Sequence, residues 1–148
     1  MPGRSKSQRR ADAVRRLEND ADVWISTASL SGVPHLVPLS LSWDGEQLLV
    51  ATPSNTPTAQ NAASTGRARA ALDSSSDVVV MDCSVKVIDI TQFDQGTIDA
   101  FVARVGWDPR NDPGDWVLLV LTPGRIQSWQ GVGEMDNRTL MRDGIWID

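Results

Sequence analysis

The sequence holds no tyrosine, one histidine and one cysteine among its 148 residues. The lone cysteine, Cys83, excludes an internal disulfide and fits a reducing cytoplasm. One histidine and one cysteine cannot assemble a zinc site of the usual ligand set. The loop residues Asp108, Asn111, Asp112 and Asp115 supply oxygens, but without EF-hand spacing or its closing glutamate, so this reads as an ordinary loop. Long apolar runs are missing as well. The longest, Trp116 to Leu121, is far too short to cross a bilayer, and no apolar stretch follows the basic N-terminus, so neither a membrane span nor a signal peptide is expected. No G-x-S-x-G, P-loop or G-x-G-x-x-G occurs. His35 reads as a hydrogen-bonded structural residue, Cys83 as a buried and inert thiol, and the six tryptophans as mostly core. Chemistry in such a chain is expected to come from a bound cofactor.

Charge is present but uneven. The net charge is −5. Residues 1–16 carry six basic groups and one acid, while residues 17–148 carry eight basic groups and 18 acids. An acidic body repels nucleic acid. The basic N-terminus is expected to be a solvated, partly frayed tail.

The length suits one globular domain, with residues 1–20 as a basic helical arm and 21–148 as a barrel. Ala11, Val14, Leu17 and Ala21 make one narrow helical stripe, with the arginines on the other faces. The period then changes to two. Residues 22–30, 33–43 and 47–52 read as three strands of a meander, joined at Ser31-Gly32 and Asp44-Gly45. Further strands are expected over 67–72, 77–90, 116–121, 125–130 and 139–147, the last broken at Asp143-Gly144. A helix is expected over 93–105, and DPRNDPGD (108–115) is a loop. Many short strands with hairpin turns and two or three helices indicate a mainly β fold, an antiparallel barrel with peripheral helices.

The run ATPSNTPTAQNAASTG (51–66) stands out, with no charge and no apolar group larger than alanine. Thr56 followed by Pro57 is a helix start, and Gly66 a helix stop. The short helix between them buries too little apolar surface for packing and propensity to explain it well. A helix N-terminus attracts anions, and Ser54, Thr56 and Thr58 surround this one with hydroxyls, with Asn61 one turn on and Arg67 and Arg69 leading the next strand. Read from the residues alone, this is equally a phosphate cradle or a capped surface helix with a polar face.

The order of elements resembles the FMN-binding split β-barrel of the pyridoxamine 5′-phosphate oxidase-like family. VPHLVPLSLSWDGEQLLVATPSNTPTAQN (33–61) is similar to its strand–turn–strand–phosphate-loop segment, and PGRIQSWQG followed by NRTLMRDGIW to its C-terminal signature. The resemblance implies a Greek-key-like split barrel that forms a homodimer with its cofactor at the interface. It implies a flavin ring along His35 to Ser40, against backbone of Pro38, Leu39 and Ser40. It implies phosphate contacts from Thr52, Ser54, Thr56, Thr58 and Asn61, and Trp129, Gln130 and Arg138 reaching the cofactor from the second subunit. Two departures matter. Pro57-Thr58 stands where the oxidases carry an Arg-Lys pair. Glu134 and Asp136, acids facing an anionic substrate, stand where they carry an arginine and a histidine for pyridoxal phosphate. Pyridoxamine phosphate oxidation is therefore excluded. The short length and the MRDGIW ending are more similar to actinobacterial members that use FMN or the deazaflavin F420, whose acidic tail the basic N-terminal arm could meet. The resemblance thus implies an FMN- or F420-dependent oxidoreductase acting on a small organic substrate, or a non-catalytic dimer that carries or senses such a ligand.

Overall fold

The structure is a computed structural model and describes residues 3–147. Helix α1 (Lys6–Asn19) is capped by Ser5, whose hydroxyl accepts from the Gln8 N–H. Nine strands follow: β1 (Asp22–Ala28), β2 (Pro34–Ser40), β3 (Ser42–Trp43), β4 (Leu48–Pro53), β5 (Arg67–Leu72), β6 (Val78–Asp89), β7 (Trp116–Trp129), β8 (Thr139–Arg142) and β9 (Ile145–Trp146). Helix α2 (Pro57–Thr65) lies between β4 and β5, and α3 (Gln95–Val105) between β6 and β7. The strands form one antiparallel sheet in the order β2-β1-β5-β6-β7-β4-β3, with β8 and β9 hung on β7. The sheet curls until β2 and β4 touch without sharing a ladder, so the barrel stays open along one seam. The mainly β barrel with peripheral helices is thus the observed class.

Alternation sets the faces. In β1, β5 and β6, Val23, Ile25, Ala68, Ala70, Leu72, Val79, Met81, Cys83 and Val85 point inward, and their neighbours outward. Strand β4 does not alternate, because both faces are covered. Leu48 and Val50 enter the barrel core, while Leu49 and Ala51 pack with Ile98 and Phe101 of α3 on the outside.

Three expectations are corrected, and one residue departs from a fourth. The third meander strand is not β2's neighbour: Leu41, fully buried, turns the chain inward, and β4 pairs with β7 on the far side of the seam. The expected break at Thr122-Pro123-Gly124 is a bulge within one 14-residue strand, where the register steps from Asp82↔Arg125 to Cys83↔Pro123. Proline is tolerated there because a bulge asks for no ladder donor. Of the six tryptophans, Trp43, Trp107, Trp116 and Trp146 are partly buried against the core as expected, while Trp24, 37% exposed, lies outside it.

The basic N-terminus is not a solvated tail either. The inward stripe of α1 is Arg9, Ala13 and Leu17, with Ala11 and Ala21 exposed. Arg9, only 3% exposed, donates to the Ser128 and Asn137 carbonyls at 3.1 and 2.6 Å. Arg10 lies 4.6 Å from the centre of the Trp146 ring, and Arg15 pairs with Asp12 at 2.9 Å. Five of the six N-terminal basic groups, Arg4 and Arg16 with these three, are consumed within the chain, which leaves little for a nucleic acid or an acidic tail. No described helix is long and apolar enough to cross a membrane.

Candidate functional site

The 51–66 run folds as its caps dictate. Thr56 accepts from the Ala59 N–H at 3.2 Å, Pro57 opens the helix, and Gly66 closes it at φ 67°. The helix lies against β1, β2, β4, β5, β6 and β7 and plugs the barrel mouth. Thr58, Ala59 and Ala62 are its buried face, so packing does account for it: only small side chains fit so close to the strands.

This burial uses the expected cradle. Thr52 and Thr58 are 4% and 1% exposed. The Thr52 and Thr56 hydroxyls lie 3.1 Å apart, and Thr56 also donates to the Pro53 carbonyl. The Asn61 amide donates to the buried Thr27 hydroxyl at 3.2 Å. Ser54 is exposed, and its own N–H is taken by the Asp115 carbonyl. In the first turn, Pro57 has no N–H and the Ala59 and Gln60 N–H groups bond Thr56. A phosphate here would meet the Ser54 hydroxyl, with no cation, because Thr58 is buried with its N–H. Nine helical residues at ~1.5 Å each set Arg67 about 13 Å from that start, too far to supply the missing charge. The FMN phosphate therefore fits this end only in part.

The ring side differs. Strand β2 pairs with β1 alone, and its other edge faces β4 across the seam with no shared ladder. Pro38 is exposed opposite Trp24, and with Leu36 they form an apolar outer patch. Leu39 turns the other way, onto the core, and the Ser40 hydroxyl accepts from the Trp107 indole at 3.3 Å. His35 is half-buried opposite Thr27. A flat apolar ring fits this edge.

The C-terminal residues gather at another end. Trp129 closes β7, Arg138 places its guanidinium 5.9 Å from the Trp129 ring centre and donates to the Met135 carbonyl at 2.8 Å, and Gln130 follows with its side chain exposed. Thr52 pairs with Val117 at the start of β7. From position 117 to 129 the strand runs about 40 Å at ~3.3 Å per residue. One small ligand cannot touch both groups within one chain.

Sequence reasoning missed what holds this end. Glu134 does not face a substrate: it is 3% exposed and turned inward. Its oxygens accept from the Arg4 N–H (2.7 Å), the Arg4 guanidinium (3.1 and 2.9 Å) and the Gln130 N–H (2.8 Å). Those bonds, the Arg4 side chain first, hold the Glu134 carboxyl down at about 2 against the cost of burial. Arg4 also pairs with Asp12 at 2.9 Å and Asp77 at 3.3 Å. No spacing in the sequence links position 4 to position 134. Cys83 is buried, and desolvation, with the Asp82 charge, pushes its thiol up to about 12. Among the described residues no cluster of His, Cys, Asp or Glu is placed to hold a metal ion. Asp108 instead pairs with Arg110 at 2.9 Å.

No protein-family model matches the sequence, and no curated protein matches it either. Solved structures do. The heme storage protein HutZ from Vibrio cholerae superposes with a TM-score of 0.70 at 12% identity, over 83% of this chain and 96% of that one. A structure named F420 reductase gives 0.62 at 17%, over 76% and 93%. A pyridoxamine 5′-phosphate oxidase-related, FMN-binding protein from Nostoc punctiforme gives 0.59 at 14%, over 94% and 90%. At these identities the likeness is one of fold: the chain has the split β-barrel that the sequence resemblance implied, and the names match the family it resembled.

Proposed function

We propose that two copies of this chain form a homodimer that binds FMN, or alternatively the deazaflavin F420, in a groove between them, and that the complex is an oxidoreductase acting on a small organic substrate. The observation that carries this reading is the separation along β7. Thr52 and the α2 start sit at the Val117 end of β7, and Trp129, Gln130 and Arg138 follow its other end, up to about 40 Å along the strand. A second copy can bring its C-terminal end to the first copy's α2 start; within a single chain β7 holds the two apart. The likeness to FMN- and F420-named structures supports the choice of ligand.

In this arrangement the Pro38–Ser40 backbone lies along the ring, and Trp24 and Leu36 shed water on closure of the dimer. Ser54 meets the phosphate, while Thr52, Thr56 and Asn61 through their internal bonds, and Thr58 through its burial, hold the helix start in place. The partner's end closes the site with Trp129, Gln130 and Arg138. When bound, such a ring supplies hydride transfer, and no acid or base of the chain is assigned to it. The cation-free phosphate end favours a second reading, a dimer that carries or senses a flat ligand without turning it over.

Absorbance and fluorescence of the purified protein, titrated with FMN and separately with F420, test the first reading. A spectral shift with a raised melting temperature supports binding. Reduction and reoxidation of the bound ring by added donors and acceptors then separates enzyme from carrier. If neither ligand alters spectrum or melting temperature, the flavin reading is overturned.

A further inference from the structure

The two arginines that follow the polar run take part in a different site. Arg67 and Arg69 project from the outer face of β5, away from the start of α2. Across the sheet Arg69 faces Asp82, and Asp82 faces Arg125. Arg142 follows on β8, whose turn is tied to the β7 bulge by the Gly144 N–H donating to the Gly124 carbonyl at 2.9 Å. A bulge bends its strand and re-aims its neighbours. Here it forms the floor of an open groove of about 960 Å³ lined by all four arginines.

Charge is segregated in this groove. Residues 17–148 hold eight basic groups, and four of them line it; of the 18 acids in the same span, Asp82 and Asp143 alone do. The other basic groups include Arg104 and Arg110, both engaged in internal bonds. Asp82 contacts Arg69 at 2.5 Å and Arg125 at 3.7 Å. Among the described residues Arg67 and Arg142 have no ion-pair partner, and both are exposed. Like charges on neighbouring strands repel, and the two acids against four arginines leave the groove with an excess of two positive charges. A concave surface of one sign concentrates anions, and guanidinium groups match phosphate oxygens in pairs. Strands at ~4.8 Å spacing spread the charges from Arg69 through Arg125 to Arg142 over about 14 Å, longer than a single phosphate.

We propose that the groove of Arg67, Arg69, Arg125 and Arg142 is a binding site for an elongated small polyanion of the polyphosphate or phosphate-ester class, separate from the start of α2. The acids that dominate the rest of the body exclude a long polyanionic polymer. This site does not depend on the flavin reading.

Calorimetric titration of the full chain with tripolyphosphate and with inorganic phosphate, at matched ionic strength, tests it. Tripolyphosphate should bind at least tenfold tighter than phosphate. The double variant Arg67→Gln/Arg142→Gln should weaken it about tenfold or more per arginine removed. The control Lys6→Gln/Arg15→Gln, with the same loss of charge, should leave it within about twofold. Should the groove variant fail to fold, phenylglyoxal modification of the unaltered protein gives the same answer: tripolyphosphate should protect Arg67 and Arg142 but not Arg15. Equal weakening in both variants, or equal protection of Arg15, would mean general charge attraction and overturn the site. So would a groove variant that loses its dimer while keeping tripolyphosphate affinity, since the arginines would then face a second copy.

Discussion

Replacing Arg4 with methionine keeps much of the stem and removes the guanidinium that holds Glu134. The carboxyl is held at about 2 against its ordinary 4.5, which at ~1.4 kcal/mol per pH unit is about 3.5 kcal/mol of stability near neutral pH, most of it from Arg4 and the rest from the Gln130 N–H. Stripping one partner from a buried pair independently gives about 3–5 kcal/mol. The pH dependence has a definite sign. A carboxyl depressed by folding contributes in full above about pH 4.5, and the contribution drains away as pH falls toward about 2. Urea unfolding followed by tryptophan fluorescence should therefore show Arg4→Met destabilised by about 3 kcal/mol at pH 7 and pH 6, with the gap shrinking below pH 4. Because Arg4 also touches Asp12 and Asp77, a double-mutant cycle with Glu134→Gln isolates the pair and should return a coupling of about 2–3 kcal/mol. A loss under about 1 kcal/mol at pH 7, or a gap unchanged down to pH 3, would refute the clamp.

Three further outcomes follow from the geometry. Thr56→Ala removes the cap and one partner of the Thr52 hydroxyl and should cost about 1–2 kcal/mol in urea unfolding, while Gly66→Ala, at φ 67°, should cost roughly 1–2 kcal/mol through backbone strain alone. Cys83 should resist a thiol reagent at pH 8 in the folded protein and react at once in urea; fast labelling of folded protein would contradict its burial. Leu36→Asp should convert a dimer to monomers in sedimentation without altering circular dichroism, and a dimer that survives it would remove the outer patch from the interface.

Local codes made much of the fold legible. The Thr56-Pro57 start and Gly66 stop gave α2 its bounds, and Asp143-Gly144, at φ 54° and 77°, marked the β8–β9 turn. The alternation of Val79, Met81, Cys83 and Val85 marked the core face of β6. What failed was long-range. Arg9 reads as a surface residue until the Ser128 and Asn137 carbonyls arrive to receive it, 119 and 128 positions away. Glu134 reads as a solvent-facing acid until Arg4 closes over it. Strand pairing was the third miss, because hairpin turns specify neighbours in sequence and the β4–β7 ladder joins strands that no turn connects. The cradle was only half legible for a related reason: the same threonine serves a ligand or a packed helix, and the strands β1 and β6 against α2 turn Thr58 inward.

The polar run of 51–66 is therefore chiefly architecture. A barrel mouth ringed by strands leaves room for a helix only if its inward side chains are small, and a helix of small residues has little hydrophobic drive of its own. Its hydroxyls and amide close that deficit by bonding inward, Thr52 with Thr56 and Asn61 with Thr27, so that burial leaves fewer polar groups unpaired. Each hydroxyl turned inward is one fewer for a phosphate. The two anion sites proposed for the chain accordingly draw on guanidinium groups elsewhere: Arg138 at the end of β7, which needs a second copy to reach the α2 start, and the groove at the β7 bulge, where Arg67 and Arg142 have no ion-pair partner among the described residues.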